Sequence, residues 1–90
     1  MRFTWDPRKA RANSNKHGVE FIEAVTVFAD AVAEVVDDVV HPDRSLIVGQ
    51  SRAGRLLVVV FTESSDNEVR IISARRPTRA ERRRYEEGKT

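Results

Sequence analysis

Four side chains between positions 9 and 17 have the chemistry to bind and process a phosphate group. They are spaced i, i+4, i+7 and i+8, which places them on one face of a helix. The four are Lys9, Asn13, Lys16 and His17. Ammonium groups attract an anion, and an imidazole can transfer a proton near neutral pH. The structural alternative leaves both lysines solvated and His17 as a helix-terminal residue favoured by the helix dipole.

A second polar group is predicted where the last strand ends. The strand closes with Arg75 and Arg76, and strand alternation predicts that Arg75 shares a face with Ile71 and Ser73. The helix that follows places polar residues at helical spacing, so they can converge with Arg75. These residues are Thr78, Glu81, Arg82 and Tyr85. The alternative is a solvated basic helix with i, i+4 ion pairs such as Arg82–Glu86.

Several other chemistries find no support in the sequence. The chain has no cysteine, and His17 and His41 stand 24 residues apart without neighbouring ligands, so we expect no metal and no cofactor. There is no glycine-rich phosphate loop and no serine nucleophile motif. An acidic strip around Asp37 and Asp38 is interpreted as solvated or as a contact for a basic partner.

The order of predicted elements is β-α-α-β-β-β-β-α. Asp6-Pro7 is typical of a helix start and Gly18 of a helix end, while Thr78 and Glu81 form a capping box before the last helix. The predicted strands are 2–5, 31–37, 45–50, 55–62 and 69–75; the helices are 7–16, 19–28 and 79–87. Two turns are predicted, at 52–54 and at 64–67.

These elements predict an α+β fold in a single domain, residues 1–90. The helix stripe Phe21, Ala24, Val25 and Phe28 is expected in the core. Segment 55–62 is apolar on both faces, which indicates a central strand. Hairpin-connected strands form an antiparallel sheet, and we expect the helices on one of its faces. The last helix has few apolar residues, which indicates a functional polar face or a docking surface.

Charge is strongly segregated along the chain. Residues 1–18 carry +4, residues 19–48 carry −6 and residues 69–90 carry +5, within a formal net charge of +2. The thirteen arginines outnumber the three lysines, and the planar guanidinium binds phosphate in a bidentate way. The longest apolar run is six residues and the N-terminus lacks an apolar signal region, so we expect a cytoplasmic protein without membrane contact.

The chain resembles one known family over nearly its whole length. Phe3-Thr4-Trp5-Asp6-Pro7-Arg8-Lys9, Lys16-His17-Gly18-Val19 and Arg70-Ile71-Ile72-Ser73-Ala74-Arg75 resemble blocks of the BrnT toxins of bacterial type II toxin–antitoxin systems. The resemblance implies a RelE-like fold and a metal-independent ribonuclease that halts translation. It also implies neutralisation by a BrnA antitoxin with a ribbon-helix-helix DNA-binding part, and repression of the operon by the complex.

Residue roles follow from the chemistry of metal-free RNA cleavage, which needs a base, an acid and donors to the charged phosphorane. The catalytic candidates are His17, Arg75, Glu81, Arg82 and Tyr85; the RNA-binding candidates are Lys9, Asn13, Lys16, Arg76 and Arg79. His17 is the expected base or acid. The competing interpretations are a non-catalytic basic nucleic-acid-binding module and an interaction subunit. With an antitoxin, we expect two toxins on one antitoxin dimer and operator binding only by the complex.

Overall fold

A computed structural model describes residues 1–64 and 67–88 of the chain. The predicted α+β class and element order are confirmed. The elements are β1 (Arg2–Thr4), α1 (Pro7–His17), α2 (Phe21–Ala24), a 3-10 helix (Val25–Ala29), β2 (Glu34–Asp37), β3 (Ser45–Gln50), β4 (Leu56–Glu63), β5 (Glu68–Arg75) and α3 (Arg79–Gly88). The turn predicted at 64–67 includes Ser65 and Asp66, which lie outside the described residues.

The strands form one sheet in the order β1-β5-β4-β3-β2. Strands β2 to β5 pair antiparallel, and β1 pairs parallel to β5. The central position of β4 confirms the prediction from its apolar sequence, since Leu57, Val58 and Val59 are completely buried.

The helices cover both faces of the sheet, so the expectation that they share one face is wrong. One face carries the main core, which includes Phe21 and Val27 from the helical segments. The opposite face carries a smaller cluster, in which Tyr85 of α3 packs with Val48 and Val58. A single aromatic side chain therefore holds the otherwise polar α3 against the second face.

Local capping signals place α1 as predicted. The Asp6 carboxylate accepts a hydrogen bond from the backbone N–H of Arg8 at 2.8 Å, and Gly18 ends the helix with φ +68°. The second helix changes to 3-10 geometry after Ala24. Its period of three residues buries Val27, which the predicted stripe omitted, while Phe28 is only partly buried.

Candidate active site

A basic cleft of about 230 Å³ lies between the β3–β4 hairpin and α3. Its lining residues come from the hairpin, from the residue after β5 and from α3. They are Gln50, Gly54, Arg55, Leu56, Arg76, Arg82, Tyr85 and Glu86. Three arginines against one glutamate give the cleft a positive potential, which favours a bound anion.

Arg55 is a cleft residue that the sequence interpretation missed. Its Nε donates to Glu23 Oε2 at 3.0 Å, and its Nη2 donates to the Gly18 carbonyl at 3.2 Å. The hydrogen bonds from Arg55 lower the pKa of Glu23. The available signal was an arginine directly after the Gly54 turn, but the sequence does not connect it to Glu23, 32 residues away.

Arg76 and Arg82 are the cleft arginines available to a ligand. Both side chains are exposed, and within residues 1–64 and 67–88 no carboxylate lies within 4.0 Å of either guanidinium. Two guanidinium groups from separate segments that face one cleft attract an anion. The nearby carboxylates, Glu86 in the lining and Glu23, whose pKa Arg76 helps to lower, balance their charge only in part. Their arrangement therefore suits a phosphate.

A β-bulge determines where Arg75 points. Ile72 is an extra residue in β5, because Ile71 and Ser73 pair with adjacent residues of β4. The bulge reverses the alternation, so Arg75 pairs with Val58 on the α3 side while Ile71 lies in the main core. The prediction that Arg75 shares a face with Ile71 is therefore wrong, and the prediction that it shares a face with Ser73 is confirmed.

Arg75 lies beside the cleft and is held by Glu81. Its Nη1 donates to Oε1 at 2.8 Å and its Nη2 to Oε2 at 3.0 Å. The predicted capping box is confirmed, since Glu81 Oε1 accepts from the Thr78 N–H at 2.7 Å. The hydrogen bonds from Arg75, with that from Thr78, lower the pKa of Glu81 to about 2. Glu81 thus contacts both the Arg75 guanidinium and the start of α3, and a carboxylate this acidic is a weak base.

Tyr85 is buried at the back of the cleft, with 6% of its surface exposed. Its hydroxyl donates to Asp30 Oδ2 at 2.6 Å. Burial and this hydrogen bond raise the pKa of Tyr85 to about 12. The hydroxyl proton is thus directed at Asp30, and the ring of Tyr85 forms part of the cleft lining.

Asn13 joins α1 to the end of β5. Its Nδ2 donates to the carbonyls of Ala74 at 2.8 Å and Val19 at 3.0 Å, and its Oδ1 accepts from the Ala74 N–H at 3.0 Å. The amide is buried, so the structure places it between two elements and not at the surface. This link holds α1 beside the strand that ends at Arg75.

The other α1 candidates surround this link. His17 is half-buried, one helical turn after Asn13, and precedes Gly18, whose carbonyl binds Arg55. His17 therefore lies near the cleft without lining it. Lys9 and Lys16 are exposed on α1. Arg79 is exposed on α3 and lines a shallow outer depression that also contains Arg82 and Arg83.

The described residues offer no evident metal site. Across positions 1–64 and 67–88, no three His, Asp or Glu side chains come together in a way that could hold a metal ion. No helix in this part of the chain is long and apolar enough to cross a membrane.

The fold and the cleft define a small α+β protein with an arginine-lined cleft, and comparison with known proteins identifies the family. Residues 5–81 match the family of BrnT, the ribonuclease toxin of type II toxin–antitoxin systems, and the chain belongs to that family. Membership implies an RNA target and an antitoxin partner. The fold is similar to the crystal structure of the Brucella abortus ribonuclease toxin BrnT, with a TM-score of 0.72 and 23% identity over 88% of this chain and 99% of that chain. No curated protein matches the chain.

Proposed function

We propose that the arginine cleft binds the backbone of RNA and cleaves it without a metal ion. The supporting observation is the convergence of Arg76 and Arg82, neither of which forms an ion pair within 4.0 Å among the described residues, on a cleft that also contains Arg55. Guanidinium groups bind phosphate through paired hydrogen bonds.

The reaction we propose is an internal displacement at phosphorus. The ribose 2′-oxygen gives its proton to a base and attacks phosphorus, and the 5′-oxygen leaves with a proton from an acid. The products are a 2′,3′-cyclic phosphate and a 5′-hydroxyl. Arg76 and Arg82 stabilise the charge that develops on the phosphorane. Arg75, whose side chain stays 32% exposed while Glu81 orients it, adds a fixed positive charge at the edge.

His17 is our assignment for proton transfer, as base or acid. Glu81 is a weak base and the Tyr85 proton is directed at Asp30, so we give both residues positioning roles. His17 carries an imidazole and lies next to the Gly18 carbonyl that binds Arg55. Lys9 and Lys16 are exposed on the same helix and can guide the RNA chain.

The deciding experiment incubates purified protein with single-stranded RNA in EDTA. We expect cleavage with cyclic-phosphate ends, and His17→Gln should reduce the rate at least about tenfold. His41→Gln is the matched control, because His41 is exposed in a loop outside the cleft. RNA that is bound in a salt-sensitive way but stays intact would favour the non-catalytic binding module instead. Cleavage only after magnesium is added would reject the metal-free mechanism.

The cellular part of the proposal is that residues 1–90 act as a cytoplasmic toxin that halts translation. We propose a BrnA-type antitoxin with a ribbon-helix-helix part, two toxins on an antitoxin dimer, and operator binding only by the complex. Since the antitoxin must prevent cleavage, it should cover the cleft and compete with RNA. Light scattering of the co-purified pair gives the stoichiometry, and toxin that binds operator DNA specifically on its own would contradict this assignment.

A further inference from the structure

The Asp30 carboxylate connects the two walls of the cleft. Its Oδ2 accepts from the backbone N–H of Gln50 at 2.8 Å and from the hydroxyl of Tyr85 at 2.6 Å. Gln50 belongs to the hairpin wall and Tyr85 to the α3 wall. Its Oδ1 accepts from the Val32 N–H at 3.0 Å, which fixes the carboxylate relative to the chain that leads into β2.

Within residues 1–64 and 67–88, the side-chain contacts that join α3 to the rest of the fold centre on Tyr85 and on two ion pairs. Among the described residues of α3, Tyr85 is the buried one. Two ion pairs add to it, Arg75–Glu81 at the start of the helix and an exposed contact between Arg84 and Glu34. An exposed ion pair is weak, so the middle of α3 is held mainly through Tyr85.

We propose that Asp30 is a positioning residue that sets the width of the cleft. By holding Gln50 and Tyr85 on one oxygen, it fixes the hairpin relative to α3. Arg82, one turn before Tyr85, is thereby placed relative to Arg55 and Arg76. The expected effect of Asp30 on the cleavage rate rests on the proposed ribonuclease function, whereas its effect on the position of α3 does not.

The surroundings of Asp30 leave little freedom for the carboxylate. A Cβ atom built on Gly49 would lie 3.2 Å from Asp30 Oδ2 and 2.9 Å from both Ala33 Cβ and Val27 Cγ1. The carboxylate thus packs into a space that only glycine leaves open. The raised pKa of Tyr85 agrees with a short hydrogen bond to this group in a buried position.

The kinetic test compares Asp30→Asn with Tyr85→Phe. In Asp30→Asn, the Gln50 N–H and the Tyr85 O–H meet either an NH₂ donor or an amide oxygen, which is a weaker acceptor than a carboxylate. In Tyr85→Phe, the ring stays and the hydroxyl is removed. A displacement of about 1 Å costs on the order of 100-fold in rate, so each variant should lose about 10- to 100-fold in kcat, with KM within about threefold because the arginines remain. The double variant should lose no more than the worse single variant.

Arg84→Gln is the matched control on the same helix. It removes the exposed Arg84–Glu34 ion pair outside the cleft, and we expect kcat to stay within about twofold of wild type. If Arg84→Gln lowers kcat as much as Asp30→Asn, any loosening of α3 has the same effect, and the specific role of Asp30 is rejected.

A spectroscopic readout tests the contact without activity, because Tyr85 is the single tyrosine of the chain. With a pKa of about 12, it is about one-tenth ionised at pH 11, and its tyrosinate absorbance reports this fraction. Asp30→Asn should raise the ionised fraction, since the carboxylate no longer opposes the phenolate. Circular dichroism at pH 11 confirms that each variant is folded.

The outcomes separate the two proposals. A variant Asp30→Asn with reduced kcat and unchanged tyrosinate absorbance shows that Asp30 does not act through Tyr85. Increased absorbance with wild-type kcat shows that the contact does not set catalytic geometry. Either result overturns the inference. If the wild-type protein cleaves no RNA, the proposed function fails. The contact of Asp30 with Gln50 and Tyr85 is still tested in that case, because Asp30→Asn should change the tyrosinate absorbance and speed the hydrogen exchange of α3.

Discussion

Arg75 and Glu81 are joined by two parallel hydrogen bonds, of 2.8 Å and 3.0 Å, across the short connection between β5 and α3. The pair fixes the start of the helix and the direction of the guanidinium together. Glu81 also accepts from the N–H of Thr78, so one carboxylate serves both the cap and the arginine. This shared use explains why the carboxylate is held in its charged form.

Glu81→Gln should reduce the free energy of unfolding by about 1–2 kcal/mol at pH 7, because it removes a charge-assisted pair that is partly exposed. The pKa of Glu81 is about 2 in the folded protein against an ordinary 4.5. Its stabilising effect is therefore complete above about pH 4.5 and is lost as the pH falls through 2. Urea unfolding from pH 5 to pH 2 should show the difference between wild type and variant shrinking.

The control for that series is Glu63→Gln, since Glu63 is exposed at the end of β4. It should leave the unfolding free energy within about 0.5 kcal/mol of wild type. A difference between wild type and Glu81→Gln that stays constant down to pH 2 would contradict the assigned pKa.

Asn13→Ala should destabilise the fold by about 2–4 kcal/mol, since it leaves buried backbone groups of Ala74 and Val19 without their partners. RNA affinity, measured under conditions where the variant is folded, should stay near wild type. Asn15→Ala is the control, because Asn15 is exposed on the same helix and should change stability little. Weaker RNA binding by folded Asn13→Ala at unchanged stability would restore Asn13 as an RNA contact.

Local sequence signals predicted most of the secondary structure. The Asp6-Pro7 start and Gly18 end of α1 depend on hydrogen bonds within a few residues, and the Thr78–Glu81 box is equally local. Such interactions are encoded by neighbouring residue types, so their spacing is sufficient to predict them. The convergence of Arg82 and Tyr85 on one cleft also followed from helical spacing.

The missed features depend on contacts that join distant segments. Arg55 is fixed by Glu23, 32 residues away, and Tyr85 by Asp30, 55 residues away. Helical or strand periodicity carries no information on such pairs. The bulge at Ile72 is different, because one extra residue reversed a correct local pattern and turned Arg75 to the other face.

Gly49→Ala should cost about 1–3 kcal/mol in unfolding free energy, because its Cβ would lie 2.9 Å from Ala33 Cβ and Val27 Cγ1 in a packed region. Thermal or urea unfolding measures the loss. Gly88→Ala provides the comparison, since nothing lies within 4 Å of a Cβ at that position. Equal stability of the two variants would show that β3 and the 3-10 helix are not as tightly packed as the structure indicates.

Arg82→Ala should reduce RNA cleavage in EDTA by about 10- to 100-fold, the effect of losing one charge-assisted hydrogen bond of about 1.5–3 kcal/mol to the phosphorane. The side chain is exposed and has no ion-pair partner among the described residues, so the unfolding free energy should stay within about 0.5 kcal/mol. Single-turnover rates and urea unfolding of the same preparation measure both quantities.

Arg83→Ala distinguishes a specific cleft contact from the general charge of α3. Arg83 follows Arg82 directly but lies outside the cleft lining, on the outer surface of the helix. Both variants remove one positive charge, so their effects on salt-dependent RNA affinity should be similar and small. Only Arg82→Ala should also slow the chemical step, because only Arg82 lines the cleft where phosphate charge develops. Equal single-turnover rates at saturating RNA would show that α3 contributes charge for binding alone and that the reaction takes place elsewhere.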